Sequence, residues 1–193
     1  MKRAVQKRTL ETRARLVAAA ETLVADKGYE ALRVEEVVLK AGVAKGTFFA
    51  HFRDKEALMD QLIGARIDGF LDEIETLPPP RDVAALVAAI EPLMRFMTCE
   101  RYVFDIVLRH SGAALTEEIG PIASTFGRYD QVVSGWLAGS SFRRDVSPGL
   151  LAEGVQAFSV QAMALHFCAL HSDRNMTHRL AEYLEAWLMP KTT

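Results

Sequence analysis

The sequence predicts an all-α fold, and three observations carry that expectation. Apolar residues recur at i, i+3 and i+4 through most of the 193 residues. No segment alternates apolar and polar as a half-buried strand does. Glycine and proline interrupt the helical pattern rather than marking tight strand turns.

The elements follow in order. A first helix is expected from Thr9 to Lys27, with Leu10, Ala14, Val17 and Val24, joined by Leu16 and Leu23, on its buried side. Val34, Val37 and Val38 then give a short helix its apolar stripe. It stops at Ala41-Gly42, where glycine takes a left-handed conformation cheaply. Val43 is expected to plug the angle to a helix from Lys45 to Phe52, whose Phe48 and Phe52 face the core. Asp54 caps a fourth helix running past Leu58, Leu62 and Phe70 to Glu75, and Pro78-Pro79-Pro80 ends it.

Further helices are expected over Asp82–Thr98, bent at Pro92, and over Arg101–His110, ending near Gly112. A longer one is expected from Thr116 to about Leu137, with Pro121 near its start and Trp136 near its end. Ala138 to Gly149, with Ser140 and Ser141, reads as a loop containing Arg143 and Arg144. Leu150–His171 and Arg174–Met189 complete the chain.

Two short helices joined by a glycine-containing turn, the second presenting its N-terminal end, form the helix-turn-helix that reads DNA. The outward face of the second helix is Gly46, Phe49 and Ala50, flanked by Lys45, Thr47 and His51. A surface helix with so few charges suits a groove better than water. Lys55, in the first turn of the next helix, lies among free backbone N–H groups that suit a phosphate.

Charge is divided along the chain. Residues 1–66 hold 13 Lys and Arg against 9 Asp and Glu, whereas the remainder holds 10 against 16. Lys2, Arg3, Lys7, Arg8, Arg13 and Arg15 crowd the first fifteen positions against Glu11 alone. Beside a helix-turn-helix this reads as a basic arm or a first-helix phosphate contact.

The block Gly28-Tyr29, Val34-Glu35-Glu36-Val37, Ala41-Gly42-Val43, Lys45-Gly46-Thr47-Phe48-Phe49, His51-Phe52 and Lys55-Glu56-Ala57-Leu58 resembles the N-terminal domain of the TetR family of bacterial regulators. Arg33 and Ala44 stand where that family usually has Thr or Ser, and Phe49 where Tyr is common. Each lost hydrogen bond to phosphate costs on the order of 1 kcal/mol. Arg33 offers a charge-assisted contact in exchange.

The resemblance implies a helix-turn-helix DNA-binding domain over 1–55 and an effector-binding and dimerisation domain over 56–193. It implies DNA contacts at Arg33, Ala44, Lys45, Gly46, Thr47, Phe49, Ala50, His51 and Lys55. Lys45, Gly46, Thr47, Phe49 and Ala50 are the expected groove readers; Arg33, Thr47, His51 and Lys55 are expected on phosphates. It also implies a repressor released from a near-palindromic operator by a small molecule, and a homodimer through the last two helices. Helix four is the expected carrier of the coupling, because it touches both parts.

The body's effector candidates are Met94, Met97, Arg101, Phe104, Val107, Leu108, Phe126, Met163, His166 and Phe167, with Arg109, His110 and Tyr129 as further polar groups. Met and Phe repack around variable apolar guests, which points to a hydrophobic or aromatic effector. Most of these residues serve equally as core.

Other readings are constrained. The chain lacks a phosphate loop, paired metal-ligand spacing and a nucleophile–base set, so neither an enzyme, a metal site nor a cofactor is expected. Cys99 and Cys168 are far apart and are expected to be buried small hydrophobes. No apolar stretch matches a membrane span or a secretory signal, so a cytoplasmic location and no membrane partner are expected. A small-molecule-binding protein of the same fold with weakened DNA binding is the alternative, because hydroxyls are missing at Ala44 and Phe49.

Overall fold

The computed structural model describes residues 2–111, 119–139, 142–171 and 173–189, with side chains from residue 7 onward. Among these residues all regular structure is helical: α1 Lys2–Lys27, α2 Val34–Ala41, α3 Lys45–Phe49, α4 Lys55–Glu75, α5 Val83–Met97, α6 Arg101–His110, α7 Pro121–Ala138, α8 Pro148–His166 and α9 Met176–Leu188.

The head is α1–α3, closed around Leu16, Ala20, Leu32, Val37, Phe48 and Phe52, all at or near zero exposure. Helix α1 starts earlier than expected and buries part of the expected stripe, with Val17, Leu23 and Val24 packed against the core. Leu16, Ala19 and Ala20 are inside, whereas Leu10 is 62% exposed and Ala14 faces solvent. Leu10 lies one or two turns N-terminal to this stripe, and no other element covers it. Gly42 adopts φ +63° and closes α2 with backbone bonds to Leu39 and Val38 carbonyls, as the turn chemistry requires. The α-helical part of α3 ends at Phe49, but Phe52 N–H still donates to the Phe48 carbonyl at 2.9 Å.

Helix α4 is the shaft of the molecule. Asp54 caps it, accepting from the Ala57 N–H at 2.8 Å, and Leu58, Leu62, Ile63, Ile67 and Leu71 are buried along it. It packs most extensively on α7, and also on α1, α5 and α6. Asp60, on its buried side, accepts from the Ile122 N–H at 2.9 Å and so caps α7 from outside that helix. Helix α7 opens at Pro121, with proline at the first helical position. The expected positions Gly112, Thr116, Ser140 and Ser141 lie outside the described residues.

Helices α8 and α9 pack on each other and close the body against α7 and α5. Helix α8 starts at Pro148, capped by Ser147, two residues before the expected Leu150. It ends at His166, where Phe167 and Cys168 N–H groups bond three residues back and Phe167 stacks on Phe104 at 5.5 Å. Helix α9 begins at Met176 because Asn175 accepts the Thr177 N–H at 2.8 Å. The expectation of two buried cysteines does not hold: Cys99 is exposed and Cys168 is half-buried. Cys99 sits in the turn between α5 and α6, off either helix's apolar stripe.

Candidate DNA interface and body cavity

Phe48 and Phe52 anchor α3 from below, their rings 5.5 Å apart. Above them Lys45, Gly46, Phe49 and Ala50 are exposed and Thr47 is half-buried. Phe49 leaves half its surface in water and meets Phe48 edge-on at 5.3 Å. A Cβ added to Gly46 would meet nothing within 4 Å. The fold therefore does not require glycine there, and whatever approaches that face sets the requirement.

The charges around α3 are partly engaged. Lys45 Nζ lies 2.5 Å from Glu35, and that hydrogen bond holds the Glu35 carboxyl below its usual range. Arg33 is exposed at the N-cap of α2, and neither Arg33 nor Ala44 caps its helix with a side chain. His51 is half-buried, and its carbonyl accepts from Arg13 at 2.8 Å. Lys55 does not reach into open solvent. Its ammonium donates to the Glu30 carbonyl at 3.0 Å and sits 4.9 Å from the Tyr102 ring centroid, and burial pushes its pKa down.

Two basic residues of the expected basic arm or first-helix phosphate contact are engaged by the helix-turn-helix itself. The Arg13 guanidinium lies 4.3 Å from the Phe52 ring centroid and donates to Gln61 at 3.1 Å. Arg15 donates to the carbonyls of Ala41 and Gly42. Both brace the helix-turn-helix, because the carbonyls at the end of α2 and beyond α3 need donors. Lys7 and Arg8 remain outward, Lys7 loosely paired with Glu11 at 3.9 Å.

In the body, a narrow cavity runs between α4, α5, α7 and α8. Helix α5 contributes Ile90, Leu93, Met94 and Met97, and α7 contributes Thr125, Phe126 and Tyr129. Gln156, Ser159, Val160 and Met163 come from α8, and Ile67 from α4. The cavity itself has a volume of about 40 Å³, within about 440 Å³ of empty space that includes space open to solvent. A drug-sized guest needs several hundred Å³. The flexible Met94, Met97 and Met163 side chains would have to give way.

Of the expected effector residues, Met94, Met97, Phe126 and Met163 line this cavity. The others do not. Arg101 is exposed and paired with Asp105 at 2.8 Å, Leu108 and His166 face solvent, and Phe104 and Val107 are core. Phe167 stacks on Phe104 instead. Arg109 and His110 turn to Glu56 on α4, at 3.4 and 3.1 Å. Among the proposed polar groups, only Tyr129 reaches the cavity. Thr125, Gln156 and Ser159 escaped the sequence reading, though a signal existed: polar residues at i, i+4 and at i, i+3 on otherwise apolar faces.

Known proteins share this architecture. The family described as "Bacterial regulatory proteins, tetR family" matches residues 16–62, the segment that forms the head and the start of α4. The HTH-type transcriptional repressor DhaR of Mycobacterium sp. (strain GP1) is 27% identical over 73% of this chain and 75% of its own length. The fatty acid metabolism regulator protein of Bacillus subtilis (strain 168) is 22% identical over 76% of this chain and 69% of its own. Thermus thermophilus FadR, a TetR family transcriptional repressor solved with lauroyl-CoA, superimposes with a TM-score of 0.62 at 18% identity. That superposition covers 91% of this chain and 92% of FadR. Residues 16–62, the helix-turn-helix and the start of α4, thus match the bacterial regulatory proteins of the tetR family, and the chain as a whole shares the fold of a solved member of that family.

Proposed function

We propose that residues 1–55 bind a near-palindromic operator and residues 56–193 hold an effector and the dimer contact, so that the protein represses transcription until the effector releases it. One observation carries the DNA half: the exposed Lys45, Gly46, Phe49 and Ala50 face of α3, which the fold itself leaves unused. In this reading Lys45, Gly46, Thr47, Phe49 and Ala50 enter the major groove, with Phe49 and Ala50 suited to thymine methyls. Arg33, Thr47 and His51 flank the backbone, where contacts position without specifying.

The dimer reading rests on α8 and α9. Their inward residues are consumed by the monomer core, yet Leu150 is 50% exposed, and Ala157 and Ala186 also face outward. Two heads held ~34–36 Å apart by a twofold pairing can engage successive major grooves.

The effector reading rests on the body cavity. Among the described residues its lining contains no Lys, Arg, His, Asp or Glu. A phosphate-bearing acyl-CoA such as the one held by FadR would find no cation within this cavity, so an uncharged hydrophobic guest fits better. The guest releases DNA only as far as it prefers the body conformation whose heads are misplaced.

Selection of fragmented genomic DNA on the purified protein, with bound fragments sequenced and re-tested across a salt series, is the decisive experiment. The expected result is enrichment of a short near-palindrome. Weak binding that vanishes at moderate salt, with no enriched sequence, would instead favour a small-molecule-binding protein, a reading supported by the uncapped α3 and the Lys45–Glu35 pair.

A further inference from the structure

The hydrogen-bonding capacity of the cavity is unevenly spent. Thr125 Oγ1 donates to the Ile122 carbonyl at 2.6 Å, and Ser159 Oγ donates to the Val155 carbonyl at 2.8 Å. Each hydroxyl has one proton, so both have only lone pairs left to offer. Tyr129 differs. It is 8% exposed, yet its buried hydroxyl makes no hydrogen bond of normal geometry. Burial pushes its pKa up and nearby Ser159 tempers that rise, yet no hydrogen bond of normal geometry joins the two hydroxyls.

A buried hydroxyl without a partner is uncommon, because the water it gave up is not replaced. This one belongs to a residue lining a mainly apolar cavity, whose other polar residues are Thr125, Gln156 and Ser159. Among the described hydroxyls of the cavity, Tyr129 alone still has a proton to give a guest's acceptor, and a guest that also donates finds waiting lone pairs on Thr125 and Ser159. A formal charge, by contrast, would be desolvated there without a counter-ion.

We infer that the cavity takes an uncharged, mainly apolar molecule whose single polar group, a hydroxyl or a carbonyl, accepts a hydrogen bond from Tyr129. This rests on the reading of the cavity as the effector site and gives that effector a chemical class. Tyr129 is the specificity-determining group; Met94, Met97 and Met163 supply the adaptable apolar wall.

Three near-isosteric probes test it: p-cresol, toluene and 4-methylbenzoate, titrated into the full chain carrying 13C-labelled methionine methyls. The expected result is that p-cresol and toluene shift the Met94, Met97 and Met163 signals and 4-methylbenzoate does not. The hydrogen bond should make p-cresol about fivefold tighter than toluene. Tyr129→Phe should abolish that difference and leave toluene binding intact; because the hydroxyl makes no hydrogen bond of normal geometry among the described residues, the variant is expected to fold.

Binding of 4-methylbenzoate as tight as p-cresol, or an unchanged p-cresol preference in Tyr129→Phe, overturns the inference and leaves the cavity as an effector site. If no probe moves the three methionines, both the inference and the cavity assignment fall. The DNA half of the proposed function is read separately, by operator binding.

Discussion

The backbone N–H of Tyr29 donates to the Glu100 carboxylate at 2.8 Å, a hydrogen bond between residues 71 apart in sequence that fastens the head's first turn to the body. The other carboxylate oxygen accepts the Glu30 N–H at 3.0 Å. Gly28 makes room for this grip. It has φ +85°, and a Cβ there would lie 2.6 Å from Glu100. Phe96, four residues before Glu100, packs edge-on against Tyr29 at 6.0 Å, and Met97 beside it lines the cavity. The end of α5 thus joins cavity wall to DNA-binding head, a second route beside the one expected through α4.

Glu100→Ala removes two charge-assisted bonds and should lower stability by about 2 kcal/mol. Hydrogen exchange is the check: the Tyr29 and Glu30 amides should exchange faster, while the core amides of α7 follow only global stability. Unchanged protection at those two amides would mean the grip is dispensable. If α5 carries the coupling, the variant should also show a smaller ratio of operator affinities without and with effector.

How much of this was legible beforehand depended on whether a residue's role was local. Gly42, Phe48, Phe52 and the Asp54 cap were all readable, because turn geometry and helical spacing are set by neighbours within four positions. The bonds of Arg13 and Arg15 were not readable because charge says nothing about direction. Their partners, at His51, Gln61, Ala41 and Gly42, become neighbours only after folding. Asp60 and Glu100 were invisible for the same reason: each caps or grips a segment 62 or more residues away. In the cavity, Met94 and Met163 were named on chemistry, whereas Phe104 and Phe167 had the same chemistry and turned out to stack on one another.

Gly46→Ala separates folding from DNA reading. Alanine is the better helix former by up to about 1 kcal/mol, and nothing crowds the added methyl. Thermal stability should therefore hold or rise slightly. Operator affinity should fall about tenfold or more if DNA approaches the backbone closely at this position, a loss of ~1.4 kcal/mol. Equal affinity for both proteins would place the DNA elsewhere.

Lys55→Ala distinguishes a phosphate contact from a brace. A phosphate contact removed lowers the magnitude of the salt slope of binding by about one. Lys55 instead spends its ammonium on the Glu30 carbonyl and the Tyr102 ring. The expected outcome is a lower melting temperature, weaker binding to every DNA, and an unchanged slope. A flattened slope with full stability would restore the phosphate role.

Asp54 links a cap to a pH dependence whose sign can be worked out. Its carboxylate accepts the Ala57 N–H at the start of α4, and that bond holds its pKa below the ordinary value of 3.8. A carboxyl whose folded pKa is depressed stabilises the fold fully above its unfolded pKa and loses that contribution as pH falls through the folded value. Asp54→Ala should cost about 0.5–2 kcal/mol at neutral pH. The deficit should shrink as pH drops below about 4, because the wild-type cap is then protonated and the two proteins converge. Denaturant melts of both proteins at a series of pH values measure it. A deficit that stays constant down to pH 3 would mean that the lost stability comes from packing around Asp54 and not from its charge on the α4 N-terminus.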